Sequence, residues 1–392
     1  MSMNRKNHLA GLFIALSLLL TPVGGVAAKV ELIRTPDGGI QPQAAVDVKG
    51  TVHLIFYKGD PGAGDIYYVR QAAGEKDFSK PIRVNSQTGS AIAAGSIRGA
   101  QLAVGKNGRV HVAWDGMGKG ATAIKFGDKE VTPLLYTRLN DAGTAFELER
   151  NIITFAYGLD GGSSIAADRE GNVSVTWHGR APNAKEGEAG RAVFVARSAD
   201  DGKTFAREEP AITSSTGACA CCGMRAFTDS QGATYILYRA ATENSGRGET
   251  LLLSPVPGAD YEIAFTHPWK ATMCPMSSAA ISEDKDGALA AWETGSEVYF
   301  AHVNRKTMSV SKPLSPPAGA KRKHPVAVRN ARGETLLAWT EGSGWAKGGS
   351  LAWQVFDQND EPASEKGSAT GVPVWSLVTA YSKPDGNFVV VY

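Results

Sequence analysis

Only four of the 392 residues are cysteine, and three of them crowd into T-G-A-C-A-C-C-G-M, Thr216 to Met224, with the fourth, Cys274, in T-M-C-P-M. So few cysteines exclude a disulfide-dense scaffold. An excess of charge of one sign is also missing, since 41 Lys and Arg face 39 Asp and Glu. That balance argues against a phosphate-binding surface, and no nucleic-acid partner is expected. The nearest approach to a charge run, Lys321-Arg322-Lys323-His324, reads as a solvated loop. No stretch reaches the roughly 20 apolar residues of a membrane-spanning helix, so no membrane insertion is expected. G-x-S-x-G, H-E-x-x-H, Walker and dinucleotide fingerprints are absent from any supporting context. C-A-C-C is not C-x-x-C-H, which removes covalent haem.

The N-terminus places Arg5 and Lys6 ahead of a short apolar run, Leu9 to Leu20, and a small-residue exit at Val26-Ala27-Ala28. This is the form of a secretory signal peptide over residues 1–28, cleaved near Ala28, and it predicts a periplasmic or secreted protein. No cysteine follows the exit, so a lipid anchor is not expected. Its removal takes two basic residues and no acid, leaving basic and acidic residues equal in number. Residues 29–392 are expected to form a single domain. The sequence assigns no oligomeric state.

One pattern recurs along that domain. An alternating apolar strand leads to a polar turn ending in Gly, and a second strand carries an aromatic residue five or six positions later. Examples are A-A-V-D-V-K-G-T-V-H-L-I-F, L-A-V-G-K-N-G-R-V-H-V-A-W and I-A-A-D-R-E-G-N-V-S-V-T-W. The glycines are Gly50, Gly108, Gly171, Gly232, Gly287, Gly333 and Gly386, and the aromatics Phe56, Trp114, Trp177, Tyr238, Trp292, Trp339 and Tyr392. Alternation on both sides of such a turn is a β-hairpin signal. Seven hairpins at intervals of roughly 46 to 63 residues, with further strands between them, suit a radial repeat of four-stranded sheets. The expected fold is all-β: a seven-bladed β-propeller whose last blade is completed by the N-terminal strand K-V-E-L-I-R-T, the alternative being six blades with an irregular closing segment. Closure by that strand would remove an exposed edge.

Ser198 to Phe205, S-A-D-D-G-K-T-F, matches the Asp-box pattern S-x-D-x-G-x-T-[W/F], with an echo, L-N-D-A-G-T-A-F, one repeat earlier. On these features the chain resembles the sialidase-like, or BNR-repeat, secreted propeller superfamily, over essentially all of residues 29–392. C-A-C-C in one repeat and C-P in the next are similar to a subgroup of secreted bacterial members. The resemblance implies a funnel on one face of the ring that binds a glycan or another small polar ligand, and an exo-glycosidase activity of the sialidase type. Sialidases of this fold use three arginines for the substrate carboxylate, a Tyr–Glu nucleophile pair and an Asp acid/base. Arg98, Arg225 and Arg239 would supply the arginines. The family's Arg-Ile-Pro before the first inner strand is not matched, because I-Q-P-Q stands there.

In such a ring the Gly turns lie on the bottom face, and residues just past each aromatic partner reach the top. They are Tyr57, Asp115, His178, Arg239, Glu293 and Thr340, joined by Gln43, Arg98, Ser163, Met224, Arg225, Met276 and His324 ahead of the inner strands. The catalytic candidates are Asp115, Arg98, Arg239, Glu293 and His178. Asp115 and Glu293 fall three blades apart, farther than the roughly 5 to 9.5 Å that separates a glycosidase carboxyl pair. Asp60 or Asp65 is an easier companion for Asp115.

Cys219, Cys221 and Cys222 precede the fourth inner strand and Cys274 precedes the fifth, so both segments are expected on neighbouring top loops. Three readings stand side by side. One bridge between the segments would close a loop of about fifty residues and contribute roughly 3 to 4 kcal/mol. The thiolates with the thioethers of Met224 and Met276 would suit copper as Cu(I), or zinc through sulfur alone. The C-x-x-C spacing of Cys219 and Cys222 also suits a labile redox pair.

Overall fold

The computed structural model describes residues 1, 28–117, 124–213, 216–242, 246–271, 275–317, 319 and 321–392. Residues 2–27, most of the expected signal peptide, and Cys274 lie outside the described residues. The described residues form seven blade sheets in a ring, six antiparallel and the seventh mixed, a seven-bladed β-propeller. Their innermost strands are Ile40–Val46, Gln101–Val104, Ser164–Ala167, Arg225–Thr228, Ala280–Asp284, Arg322–Arg329 and Thr379–Ser382. Each touches the next, and the last touches the first. Among the described residues no helix is long and apolar enough to cross a membrane.

The bottom turns form because each expected glycine sits in the left-handed region, as at Gly50 with φ 76° and Gly171 with φ 101°. A residue three positions earlier completes several of them. Asp168 Oδ1 accepts the amides of Glu170, Gly171 and Asn172. Asp229 does the same for Gln231 and Ala233, and Asn330 for Arg332 and Glu334. A short polar side chain that satisfies its own turn fixes the hairpin register, and with it the height of every residue above the turn.

The core lies between sheets. Trp114, Trp177, Trp292 and Trp339, each near the end of a second strand, are buried. Trp177 packs with Phe194, Tyr136 and Ala113, joining the second and third blades. Buried indoles usually find a hydrogen-bond acceptor: Trp177 Nε1 donates to Ala156 O at 3.0 Å and Trp292 Nε1 to His267 Nδ1 at 2.9 Å, while Trp114 Nε1 has no acceptor among the described residues.

The seventh blade closes as expected. Val30–Ile33 pairs in parallel with Phe388–Val391, so two strands come from the C-terminus and one from the N-terminus. This blade has three strands where the others have four. Ala28 is buried beside it, and its amide donates to Glu334 Oε1 of the sixth blade at 3.0 Å. The Ser198–Phe205 turn staples two blades. Asp200 accepts from the Thr204 amide at 2.8 Å and from its hydroxyl at 2.7 Å, while Phe205 stands edge-on to Tyr136 at 4.9 Å. The echo repeats the packing one blade earlier, with Phe146 edge-on to Tyr68 at 5.6 Å.

Candidate functional site

The second strand of each blade runs upward from its turn, so the residues after the aromatic partners gather at the top. They do not line an open mouth. Tyr57, Asp115, His178, Arg239, Glu293 and Thr340 are all buried. The cause is the loop ahead of the second inner strand, which lies across the ring. Gln41 Nε2 donates to Ala93 O and to Trp375 O, both at 2.7 Å, tying the loop to the first and seventh blades. At the third blade Gly162 N donates to Ile97 O at 3.3 Å. A Cβ on Gly161 would lie 2.4 Å from Ile97 Cδ1, so the loop's Ile97 side chain packs directly against this glycine. Below, Arg225 reaches across the shaft from the fourth blade to Gln43 Oε1 at 2.5 Å and to Gln101 Oε1. Among the described residues no carboxylate pairs with it, and burial brings its guanidinium down to about 10.

Under this cover the charged groups sort into two clusters. In the first, Ser163 Oγ donates to Asp115 Oδ1 at 2.7 Å, while Asp115 Oδ2 is buried without a partner. Burial pushes Asp115 up to about 7, against the pull of Ser163 and Arg98 and with the help of Asp160. Arg98 is committed to protein groups: Nη2 pairs with Asp160 Oδ1 at 2.6 Å, Nε donates to Asp160 O at 2.5 Å and Nη1 to Ala94 O at 2.9 Å. His178 is buried with Nε2 unpartnered, and desolvation, aided by Arg191, brings it down to about 3.

The second cluster spans the fourth and fifth blades. Arg239 Nε pairs with Glu249 Oε2 at 3.1 Å and Nη2 with Glu293 Oε2 at 3.2 Å, all three residues being buried. Burial raises Glu249 to about 7 although Arg239 opposes it. Glu293 is held further by the Ser296 amide at 2.6 Å. Asp115 and Glu293 thus belong to separate clusters. Arg98, Arg225 and Arg239 each bind a different set of protein groups. Asp60 and Asp65 cap first-blade loops through Gly62 N and Gly89 N, both at 2.8 Å.

The cysteine loop lies against the second cluster. Cys219 N donates to Arg239 O at 2.8 Å and Gly223 N to Ser277 O at 3.0 Å, stitching the loop to both blades. Cys219 and Cys222 are buried free thiols, and Cys221 is disulfide-bonded. Cys219 Sγ stands 3.3 Å from Cys221 Sγ and 3.7 Å from Cys222 Sγ. Burial raises Cys222, but the Cys219 thiol and the Arg239 guanidinium outweigh it and hold the group at about 6, while the shared proton and burial push Cys219 up. Met224 Sδ instead accepts from Thr176 Oγ1 at 3.4 Å in the core between the third and fourth blades. Met276 lies at the axis.

On the top face a pocket of about 10 Å³, room for little more than one water, is lined by Ser96, Met276, Lys323, His324, Trp345 and Trp375. Trp345 is 57% exposed and stands edge-on to Trp375, ring centres 4.8 Å apart. His324 is buried below, its Nδ1 accepting from Ser278 N at 3.2 Å, and desolvation brings it to about 3. Gln41 and His324 near the start of their inner strands, and Met276 and Trp375 ahead of theirs, share a left-handed backbone that turns the chain down into its blade. Neither tryptophan was a sequence candidate. Only the position of Trp345 in the glycine-flanked loop G-S-G-W-A-K-G-G, where no packing role is needed, could have marked it. A larger cavity of about 560 Å³ lies on the bottom, between the third and fourth blades. Much of its lining is turn residues already paired with one another, such as Asp168 with Asn172 at 2.6 Å.

No family model matches the sequence, and no curated protein matches it. Solved structures do resemble the fold. The α-L-arabinanase of Penicillium chrysogenum, solved with arabinobiose, has a TM-score of 0.51 at 13% identity, covering 82% of this chain and 94% of its own. The Hadza microbial sialidase Hz136 gives 0.46 at 14% identity, over 77% and 66% of the two chains. The intramolecular trans-sialidase of Ruminococcus gnavus, in complex with oseltamivir carboxylate, gives 0.42 at 13% over 89% and 88%. At these identities the likeness is one of fold.

Proposed function

We propose that the protein is a secreted sialidase-like propeller that binds a glycan on its top face, against the exposed ring of Trp345. The observation that carries this reading is the exposed Trp345, held edge-on to Trp375 over a pocket that also offers Lys323 and Ser96. An exposed aromatic face beside a few polar groups suits a sugar ring, which presents apolar C–H faces and a polar rim. The arabinanase was solved with a saccharide, and its fold is the one this chain shares. Titration of the protein with a panel of neutral and acidic oligosaccharides, followed by tryptophan fluorescence, tests it. Saturable binding that Trp345→Ala weakens at least tenfold is the expected result. Absence of binding across the panel, or binding indifferent to the substitution, counts against it.

Hydrolysis is favoured by one observation, a carboxyl at Asp115 that stays partly protonated near neutrality, and it requires the loop that buries this carboxyl to open. A general acid needs that protonation state. On this reading Asp115→Asn abolishes turnover of a fluorogenic glycoside panel while leaving saccharide binding intact. Turnover that survives the substitution removes Asp115 from the chemistry.

Export supplies the setting. Ala28 is buried with its nitrogen on Glu334, which supports removal of the leader after Ala27, one residue before the expected position. The new ammonium would then face a carboxylate. The intact mass of protein recovered from the periplasm decides between the two positions.

A further inference from the structure

Beyond saccharide binding, the three sulfurs of the Cys219–Cys222 loop form a second candidate site. Two are unbonded thiols 3.7 Å apart, and the third lies 3.3 Å from Cys219; all three fall within 4.8 Å of one another. Sulfurs sharing one ion at about 2.3 Å lie roughly 3.8 Å apart in a tetrahedral shell and 4.0 Å in a trigonal one. The group is therefore within a fraction of an ångström of ligating spacing before any ion arrives.

The surroundings select the kind of ion. Arg239 with Glu249 and Glu293 lies on the Cys222 side of the loop, and Glu188 with Arg191 and Arg247 on the Cys219 side, so the donor set rather than net charge decides the ion. No imidazole or carboxylate joins the sulfurs as a ligand group within that radius among the described residues. An all-sulfur donor set in a nearly dry site suits a soft, weakly hydrated ion over a hard one. The loop is also pre-organised, since the Cys219 and Gly223 amides bind carbonyls of two blades. Cys219 and Cys222 are buried while Cys221 is partly exposed, which gives the site an outer and an inner side.

We propose that Cys219 and Cys222, joined by Cys221 once its disulfide is opened, bind one Cu(I) ion at the top face of the propeller. Opening requires a dithiol reductant: its two thiols become a disulfide, two electrons pass to the Cys221 bridge, and two protein thiols form. Binding then replaces thiol protons by the metal. The Cys221 bridge thereby gates the site, with two donors in the oxidised chain and three in the reduced one.

The test uses the full exported chain, reduced with dithiothreitol under anaerobic conditions and freed of reductant, then titrated with Cu(I) held by bicinchoninate. One equivalent should leave the chelator and give thiolate-to-copper absorption in the ultraviolet. Cys219→Ser and Cys222→Ser should each weaken binding at least tenfold, and the unreduced chain should also bind at least tenfold less tightly. If a serine variant fails to fold, mass-spectrometric mapping of iodoacetamide labelling in the wild type replaces it. Copper should then protect Cys219 and Cys222. A folded, reduced chain that leaves Cu(I) on bicinchoninate overturns the proposal. So do binding unaffected by both substitutions and preference for Zn(II).

Discussion

At the residue scale, buried titratable groups set the behaviour with pH, and they act in two directions. His178 and His324 are held at about 3 by desolvation, far below an ordinary imidazole. The unfolded chain takes up protons below about 6.5 that the folded chain refuses, so their effect is a loss of stability as pH falls from about 6.5 towards 3. His324→Gln should flatten that acid limb, measured by thermal melting at stepped pH; an unchanged slope would contradict the burial argument. His302 behaves oppositely. Burial lowers it, but Asp284 at 2.5 Å and Asp360 at 3.0 Å outweigh this and raise it. Its contribution is fully present below the unfolded value and disappears as pH rises through the folded one. The difference in stability between wild type and His302→Gln should therefore shrink as pH rises beyond neutrality. The buried Arg239 makes a sharper case, because its removal leaves Glu249 and Glu293 facing each other without a cation. Arg239→Met should cost about 3–5 kcal/mol by denaturant unfolding.

At the element scale, the hairpins carry both the stability and the legibility of the fold. Asp229 caps its turn through two amides, accepts from Tyr235 Oη at 2.8 Å and pairs with Arg305 at 3.1 Å. Asp229→Ala strands these donors and should cost about 2–3 kcal/mol by the same measurement. A loss near zero would mean that water replaces the carboxylate. Turns of this kind were readable in the sequence because glycine, a polar cap and period-2 alternation are all local. Completion of the seventh blade by Val30–Ile33 was also foreseen, from a strand pattern with no hairpin partner of its own; that it pairs in parallel was not. The cover over the ring was not. Ser90 to Ala100 is rich in small residues, and what it does depends on Gln41, Gly161 and Trp375, which are remote in the chain. For the same reason the sequence placed Asp115, His178, Arg239 and Glu293 near the top but gave no sign that they were enclosed, nor that Arg98 was bound to Asp160.

At the scale of the whole molecule, closure of the ring brings the Asp115 cluster, the Arg239 cluster, the sulfur loop and the axial tryptophans to one end of the shaft. Blades that touch only their neighbours need a closed circuit to remove the last edge. Deleting residues 28–35 should therefore broaden or abolish the cooperative melting transition, seen by circular dichroism. A sharp transition near the wild-type temperature would show that the seventh blade stands without its N-terminal strand. On the proposed reading, the enclosure of the charged groups leaves the exposed Trp345 on the top face as the place where a ligand meets the protein. Fluorescence titration of wild type and Trp345→Ala with the same saccharides tests this most directly. Saturable binding that the substitution weakens at least tenfold, in a protein that melts as the wild type does, is the predicted result. Equal binding by both proteins, or binding by neither, would contradict it.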